Sequence, residues 1–337
     1  MTEYFRFPKP NLFWLVFLTV GLILIFGAYL SLRFGAISFS HDQLLVTLKE
    51  FAKDSAQQDI IVDLRIPRLL TACLVGASLA VAGLMMQAVT YNRLADSGLL
   101  GVQAGAGLSI LLLLILNPNS HYLLRLMVGF IGAGLVAGLV IFSSQQNGPG
   151  NHPLRILLIG SMATAFLSAV GQGMSIYLNQ ATHYLGLLSG SLTQANWSSL
   201  AWLAGPIFLA LLFAMIFAKQ LTILSLQESL AQGLGLQTRL FLVLFLLLVT
   251  VLSAAAVSLA GSLTFIGLII PNLIRPFFKR DFRYLLPLSA LCGACLLVWM
   301  DVLARTLHPP YELPLNSLTS LIGFPILLFL IRKGDWS

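Results

Sequence analysis

Residues 64–107 read LRIPRLLTACLVGASLAVAGLMMQAVTYNRLADSGLLGVQAGAG. No charged side chain lies between Arg68 and Arg93, so this stretch exceeds the ~20 apolar residues that cross a bilayer. In hydrocarbon every backbone N–H and C=O must find a partner inside the segment, so such a run is a helix. A polar turn, YNRLADSG, then leads into a second apolar run near 99–117. Working outward, comparable runs occur at about 12–32, 122–143, 154–178, 198–218, 239–260, 263–277, 284–306 and 316–332. With 68–90 and 99–117 they predict an all-α membrane protein of about ten transmembrane helices. The run at 263–277 is short and holds Pro271, so it is expected to be broken or tilted.

Composition agrees. Of 337 residues, 58% are hydrophobic and 9% charged, with mean hydropathy +0.91; soluble domains carry roughly 25% charged residues. One soluble core could not bury that much apolar surface, and a disordered chain would be more polar. The net charge of +7 does not indicate nucleic acid, because the basic residues are dispersed. They act better as topology signals. With the N-terminus cytoplasmic, inner segments carry twelve of the 19 basic residues and outer segments seven, and RPFFKRDFR at 275–283 is the densest inner cluster. Both termini are then cytoplasmic. The first apolar run, Leu12 to Leu32, is longer than the 7–15 residues of a signal-peptide core, so it reads as a membrane helix.

Two polar connections stand out in what reads as one domain over 1–337. The outer one, 34–66, suggests a short amphipathic helix against the bundle. The inner one, 219–238, reads KQLTILSLQESLAQGLGLQT and suggests two short helices separated by a Gly-containing turn. It suits a cleft on a cytoplasmic protein or an interfacial connector equally well. Glycines punctuate the spans, at Gly76, Gly83, Gly129, Gly132, Gly134 and Gly138 among others, as expected where close backbone approach supplies the packing. Cys73, Cys292 and Cys295 lie in apolar runs and read as packing residues.

The chain carries no phosphate-binding G-x-x-x-x-G-K-[ST] loop and no H-E-x-x-H, and its histidines are scattered. No catalytic, metal or cofactor site is expected. Intramembrane carboxylates would mark an ion-coupled pathway. Asp301 is the main candidate, and its i+4 neighbour Arg305 offers it a structural ion pair instead. Uphill transport would therefore draw its energy from a partner.

Three segments resemble the FecCD-type permease subunits of iron-siderophore, haem and vitamin B12 importers, the type II ABC importers. The 64–107 stretch is similar to the family run in which R-x-P-R opens helix two and N-P-L-A-(D/E)-P-G-L-L-G leads into helix three. SLAGSLTFIGLIIPNLIR at 258–275 resembles G-x-I-x-F-(I/V)-G-L-x-x-P-H-x-x-R, and ELPLNSLTSLIGFPILLFLIRK at 312–333 resembles the ending E-L-P-x-G-x-x-T-x-x-x-G-x-P-x-F.

The resemblance implies a ten-helix subunit that pairs with a second, identical or paralogous, permease subunit around a central path. It also implies two cytoplasmic ATPase subunits holding ATP and Mg, an extracytoplasmic solute-binding protein, and a ferric-chelate substrate, in a prokaryotic cytoplasmic membrane. Arg65, Arg68 and Arg305 fall where the family presents outward arginines to acidic residues of the binding protein; snorkelling at a helix end is the plainer reading. Gln227, Glu228, Ala231, Gly233 and Gly235 fall where the family docks its ATPase. Asn92 and Leu94 correspond to the inner gate, and Met85, Met86 and Gln87 are either a pathway lining or ordinary packing. Arg93 and Ser97 replace prolines of the family turn, Ser262 replaces another, and Asn272 replaces a histidine.

Overall fold

The computed structural model describes residues 10–35, 37, 39–50, 59–145, 153–226, 228–278, 281–309 and 311–332, and every regular element among them is helical. The α-helices run α1 (Pro10–Arg33), α2 (His41–Glu50), α3 (Ile66–Val89), α4 (Val102–Leu116), α5 (Tyr122–Gln145), α6 (Pro153–Tyr177) and α7 (Ala181–Ser189). They continue with α8 (Trp197–Ile216), α9 (Ala218–Leu224), α10 (Glu228–Gly233), α11 (Thr238–Ala260), α12 (Ile266–Phe278), α13 (Phe282–Thr306) and α14 (Leu315–Arg332). All ten apolar runs are helices. Seven are long and apolar enough to cross a membrane, and α4, α12 and α14 are shorter apolar helices.

Burial separates centre from rim. Of the apolar window of α3, 78% is buried in the bundle, against 11% for α1, so α3 is the axis and α1 the periphery. Trp14, Leu15, Leu18, Leu22 and Phe26 of α1 form an outward apolar face fit for lipid. α3 packs against α13, α11 and α12. Two glycine pairs make this contact possible. A Cβ on Gly76 would lie 2.3 Å from the Gly293 carbonyl oxygen of α13, and one on Gly83 would lie 2.0 Å from that of Gly267 on α12. Helix backbones touch there, as small residues permit in membranes. Gly134 and Gly138, also read as packing glycines, face open space instead.

α12 is short, as expected, but it is not broken at Pro271, which lies inside the helix; the non-helical part of the run precedes it. Its 13 residues rise about 20 Å at ~1.5 Å per residue, short of a ~30 Å hydrocarbon core. The link 261–265 before it supplies the missing depth, with Gly261 at φ 72° and Phe265 at φ 69°. Non-helical backbone at that depth needs polar partners. The Asn316 side chain accepts from the Thr264 amide (3.2 Å) and hydroxyl (2.7 Å) and donates to the Leu188 carbonyl (3.4 Å). Ser262 donates to Gln103 Oε1 (2.8 Å), and the Ser191 amide donates to the Ala260 carbonyl (2.8 Å). One polar knot therefore ties the ends of α7, α11 and α14.

Two features differ from the sequence reading. In 219–238 the two short helices are present, but the glycine turn ends the second of them, and the first ends at a turn over 225–226. α7 was not read at all, being too short to show as a span. Before α3, a π-helical turn, Ile60–Arg65, frees the Val62 carbonyl, which accepts from the Trp197 indole at 3.0 Å.

Candidate functional site

Three groups of sequence-predicted residues gather at the two ends of the bundle. At the first end, α3 and α13 bring Arg68 and Arg305 together around Asp301, and Arg65, on the turn before α3, lies beside them. Asp301 is completely buried. As expected it pairs with Arg305 (2.9 Å), an ion pair without hydrogen-bond alignment. It also receives Arg68, through Nε at 2.9 Å and Nη2 at 2.8 Å. The other edge of Arg68 makes a bidentate pair with Glu312, both bonds 2.8 Å.

Arg65 and Arg305 are just 6% and 7% exposed, so they are not the free, outward side chains the sequence led us to expect. The reason is the last turn of α1 and the link after it, which supply them with acceptors. Arg65 donates to the Leu32 carbonyl (2.5 Å) and to that of Ile37, and its guanidinium lies over the Phe39 ring at 4.4 Å. Arg305 donates to the Ser31 hydroxyl (2.8 Å) and carbonyl (3.3 Å). Buried charge is tolerable when paired and hydrogen-bonded in this way. Glu312 had no role in the sequence reading; its pairing partner lies 244 residues away.

At the opposite end, α3 runs into the turn 90–101. Asn92 Oδ1 accepts from the Leu94 amide (2.9 Å), a local turn that leaves Leu94 45% exposed. Two departures from the family pattern meet here: Asn272 of α12 donates to the carbonyl of Arg93 (3.0 Å) and to that of Leu268 (2.8 Å). Asp96 folds back against Gly267, where an added Cβ would sit 2.5 Å from Oδ1. Burial pushes its carboxyl above the usual carboxylate range, against the opposing pull of the Gly98 and Ser97 amides. Met85, Met86 and Gln87 are buried in the α3 packing, and Gln87 donates to the Gly267 carbonyl at 3.4 Å.

Beside this turn lie α9 and α10. α9 buries Ala218, Leu221 and Leu224, and its Thr222 hydroxyl accepts from the first amide of α13 (3.2 Å). α10 buries Ala231 and leaves Leu230 and Leu234 mostly exposed. It closes on Gly235 at φ 79°, with the Leu236 amide on the Ala231 carbonyl (3.1 Å) and the Gly235 amide on that of Gln232 (2.9 Å). That pair of bonds is the Schellman stop, in which glycine takes the left-handed position. Gly233 faces open space. Gln227 and the Glu228 side chain lie outside the described residues. An open recess of roughly 650 Å³, lined by Gln232, Leu236, Thr238, Arg239, Leu240 and Val243, adjoins α10. Among the described residues, no three His, Cys, Asp or Glu side chains are grouped to hold a metal.

The profile of the FecCD transport family matches residues 23–333. The chain is 39% identical to the hemin transport system permease protein of Yersinia pestis, over 94% of this chain and 96% of the other. It is 36% identical to the Fe(3+)-citrate import system permease protein of Bacillus subtilis, over 95% of each. It is 35% identical to the iron(3+)-hydroxamate import system permease protein of the same organism, over 94% of this chain and 83% of that one. A solved structure described as an inward-facing conformation of a metal-chelate type ABC transporter aligns over 96% of this chain and all of that one, with TM-score 0.83 and 28% identity.

Proposed function

The chain belongs to the FecCD transport family, and from that membership we propose that it is the permease subunit of an ATP-driven importer that moves a ferric chelate across the cytoplasmic membrane. The observation that carries this reading is the shared chemistry of the relatives' cargoes. Hemin, Fe(3+)-citrate and iron(3+)-hydroxamate all present iron inside an organic chelate. The interior supports an external energy source. Asp301, the carboxylate that an ion-coupled pathway would use, is held by Arg68 and Arg305.

In this reading the α9–α10 end faces the cytoplasm and receives one of two ATPase subunits, which bind ATP and Mg. Exposed Leu230 and Leu234 enter a cleft on that subunit, and movement of α10 reaches α13 through the Thr222 bond. The α6 face, of whose apolar window 17% is buried, meets a second permease subunit; it presents Met162, Phe166, Gln172 and Gly173. The Arg65–Arg68–Arg305 end faces outward and meets the solute-binding protein.

Gly233 offers a clean test of the cytoplasmic docking, because nothing lies within 4 Å of the Cβ it lacks. Gly233→Leu should leave the thermal stability of the isolated permease unchanged to within about 0.5 kcal/mol. In the assembled transporter the same change should cut substrate-stimulated ATPase activity at least about fivefold, the low end of typical coupling energies. Normal stimulation would remove α10 from the ATPase interface.

A further inference from the structure

Arg68 has five N–H donors in a planar fork, and the two carboxylates that fill it are not equivalent. Asp301 holds the inner edge at 1% side-chain exposure and also pairs with Arg305, so it cannot leave without stranding Arg305. Glu312 holds the outer edge at 32% side-chain exposure. It sits on the non-helical connection between α13 and α14, where Leu307 and Tyr311 are 59% and 71% exposed. One partner of Arg68 is fixed and the other is free to exchange with solvent or with an arriving carboxylate.

We propose that Glu312 is an internal stand-in for the solute-binding protein's carboxylate: it occupies the outer edge of Arg68 while that end is empty and is displaced when the partner docks. The inference rests on the docking reading given above for the three arginines. Three arginines against Asp301 and Glu312 leave one formal positive charge, and swinging Glu312 outward raises it to two at the spot a partner carboxylate enters. The exchange replaces one two-bond guanidinium–carboxylate contact by another, so it costs little. Its consequence is mechanical. Glu312 lies three residues before Leu315, the first residue of α14, whose amide donates to the Gly190 carbonyl (3.2 Å). The next residue, Asn316, holds the knot that joins α7, the 261–265 link and α14. Releasing Glu312 therefore loosens the first turn of α14 and informs the membrane interior that the outer end is occupied.

The experiment compares wild type, Glu312→Gln and Arg68→Lys in the complete transporter in lipid nanodiscs, titrated with the purified solute-binding protein of this transporter. A nitroxide on Tyr311→Cys reports the connection. Glu312→Gln removes the competitor and should tighten binding about tenfold. Arg68→Lys keeps the charge beside Asp301 but loses the fork, and should weaken binding. The label should gain mobility when the protein docks on wild type, and should be mobile beforehand in Glu312→Gln. If Arg68→Lys weakens binding while Glu312→Gln leaves both affinity and label unchanged, the stand-in is wrong and the docking site survives. If neither substitution alters binding, the docking reading fails and the stand-in falls with it.

Discussion

Asp301→Ala is expected to be the most destabilising single substitution in the chain. Asp301 is 0% exposed and answers two arginines, Arg68 at 2.8 Å and Arg305 at 2.9 Å. Removing it leaves Arg305 buried with no carboxylate and Arg68 with Glu312 alone, and breaking such a buried pair costs about 3–5 kcal/mol. That is a large share of the stability of any fold. The expected result is a protein that fails to accumulate in membranes, or that loses its monodisperse peak on mild heating in detergent. Asp301→Asn should be nearly as damaging, since its amide cannot neutralise either arginine. Arg305→Met combined with Asp301→Leu should recover part of the loss, because apolar replacement of a whole buried pair is often tolerated; Arg68 then keeps Glu312. If Asp301→Ala behaves like wild type, the cluster does not hold α3 to α13.

The second large effect is expected at the glycine crossing of α3 and α12. A Cβ on Gly83 would sit 2.0 Å from the Gly267 carbonyl oxygen and 2.3 Å from its Cα. The obstacle is backbone, which cannot rotate aside as a side chain can. Gly83→Val therefore forces the helices apart, at or above the ~3 kcal/mol upper end of overpacking. The displacement falls on α12, which carries Asn272 and through it the Arg93 turn at the proposed gate. Transport should be abolished even where the protein still reaches the membrane. Gly134→Val is the control: open space surrounds that position, and uptake and stability should stay at wild-type levels. Equal damage at both positions would deny the close crossing.

Much of this architecture is legible in the sequence. The apolar helices were readable because a span needs a long apolar run and the bilayer enforces that rule along the sequence itself; seven reach that length, and α4, α12 and α14 are shorter. The runs read as 68–90 and 316–332 match Ile66–Val89 and Leu315–Arg332 to within two residues. The Asp301–Arg305 pair was readable because i+4 spacing on a helix is local. Glu312 was not, because its contact with Arg68 joins segments from opposite parts of the chain. Nor was the inward orientation of Arg65 and Arg305, which depends on the carbonyls of Ser31, Leu32 and Ile37 lying over them. α7 escaped because nine residues lack a span's length. The departures Arg93 and Asn272 looked like two separate anomalies in the sequence; their hydrogen bond shows that they meet at one place. The contacts of 227–228 lie outside the described residues, so the α10 end rests on Ala231, Gly233 and Gly235.

The central claim is that this chain moves a ferric chelate with energy supplied by a partner ATPase. It is tested most directly by uptake of a radiolabelled ferric siderophore into proteoliposomes holding this permease with its ATPase and solute-binding protein. The account predicts uptake that requires ATP inside the assay's cytoplasmic compartment, survives an ionophore, and stops with an ATPase unable to hydrolyse. Uptake that persists without ATP and collapses with the ionophore would contradict it.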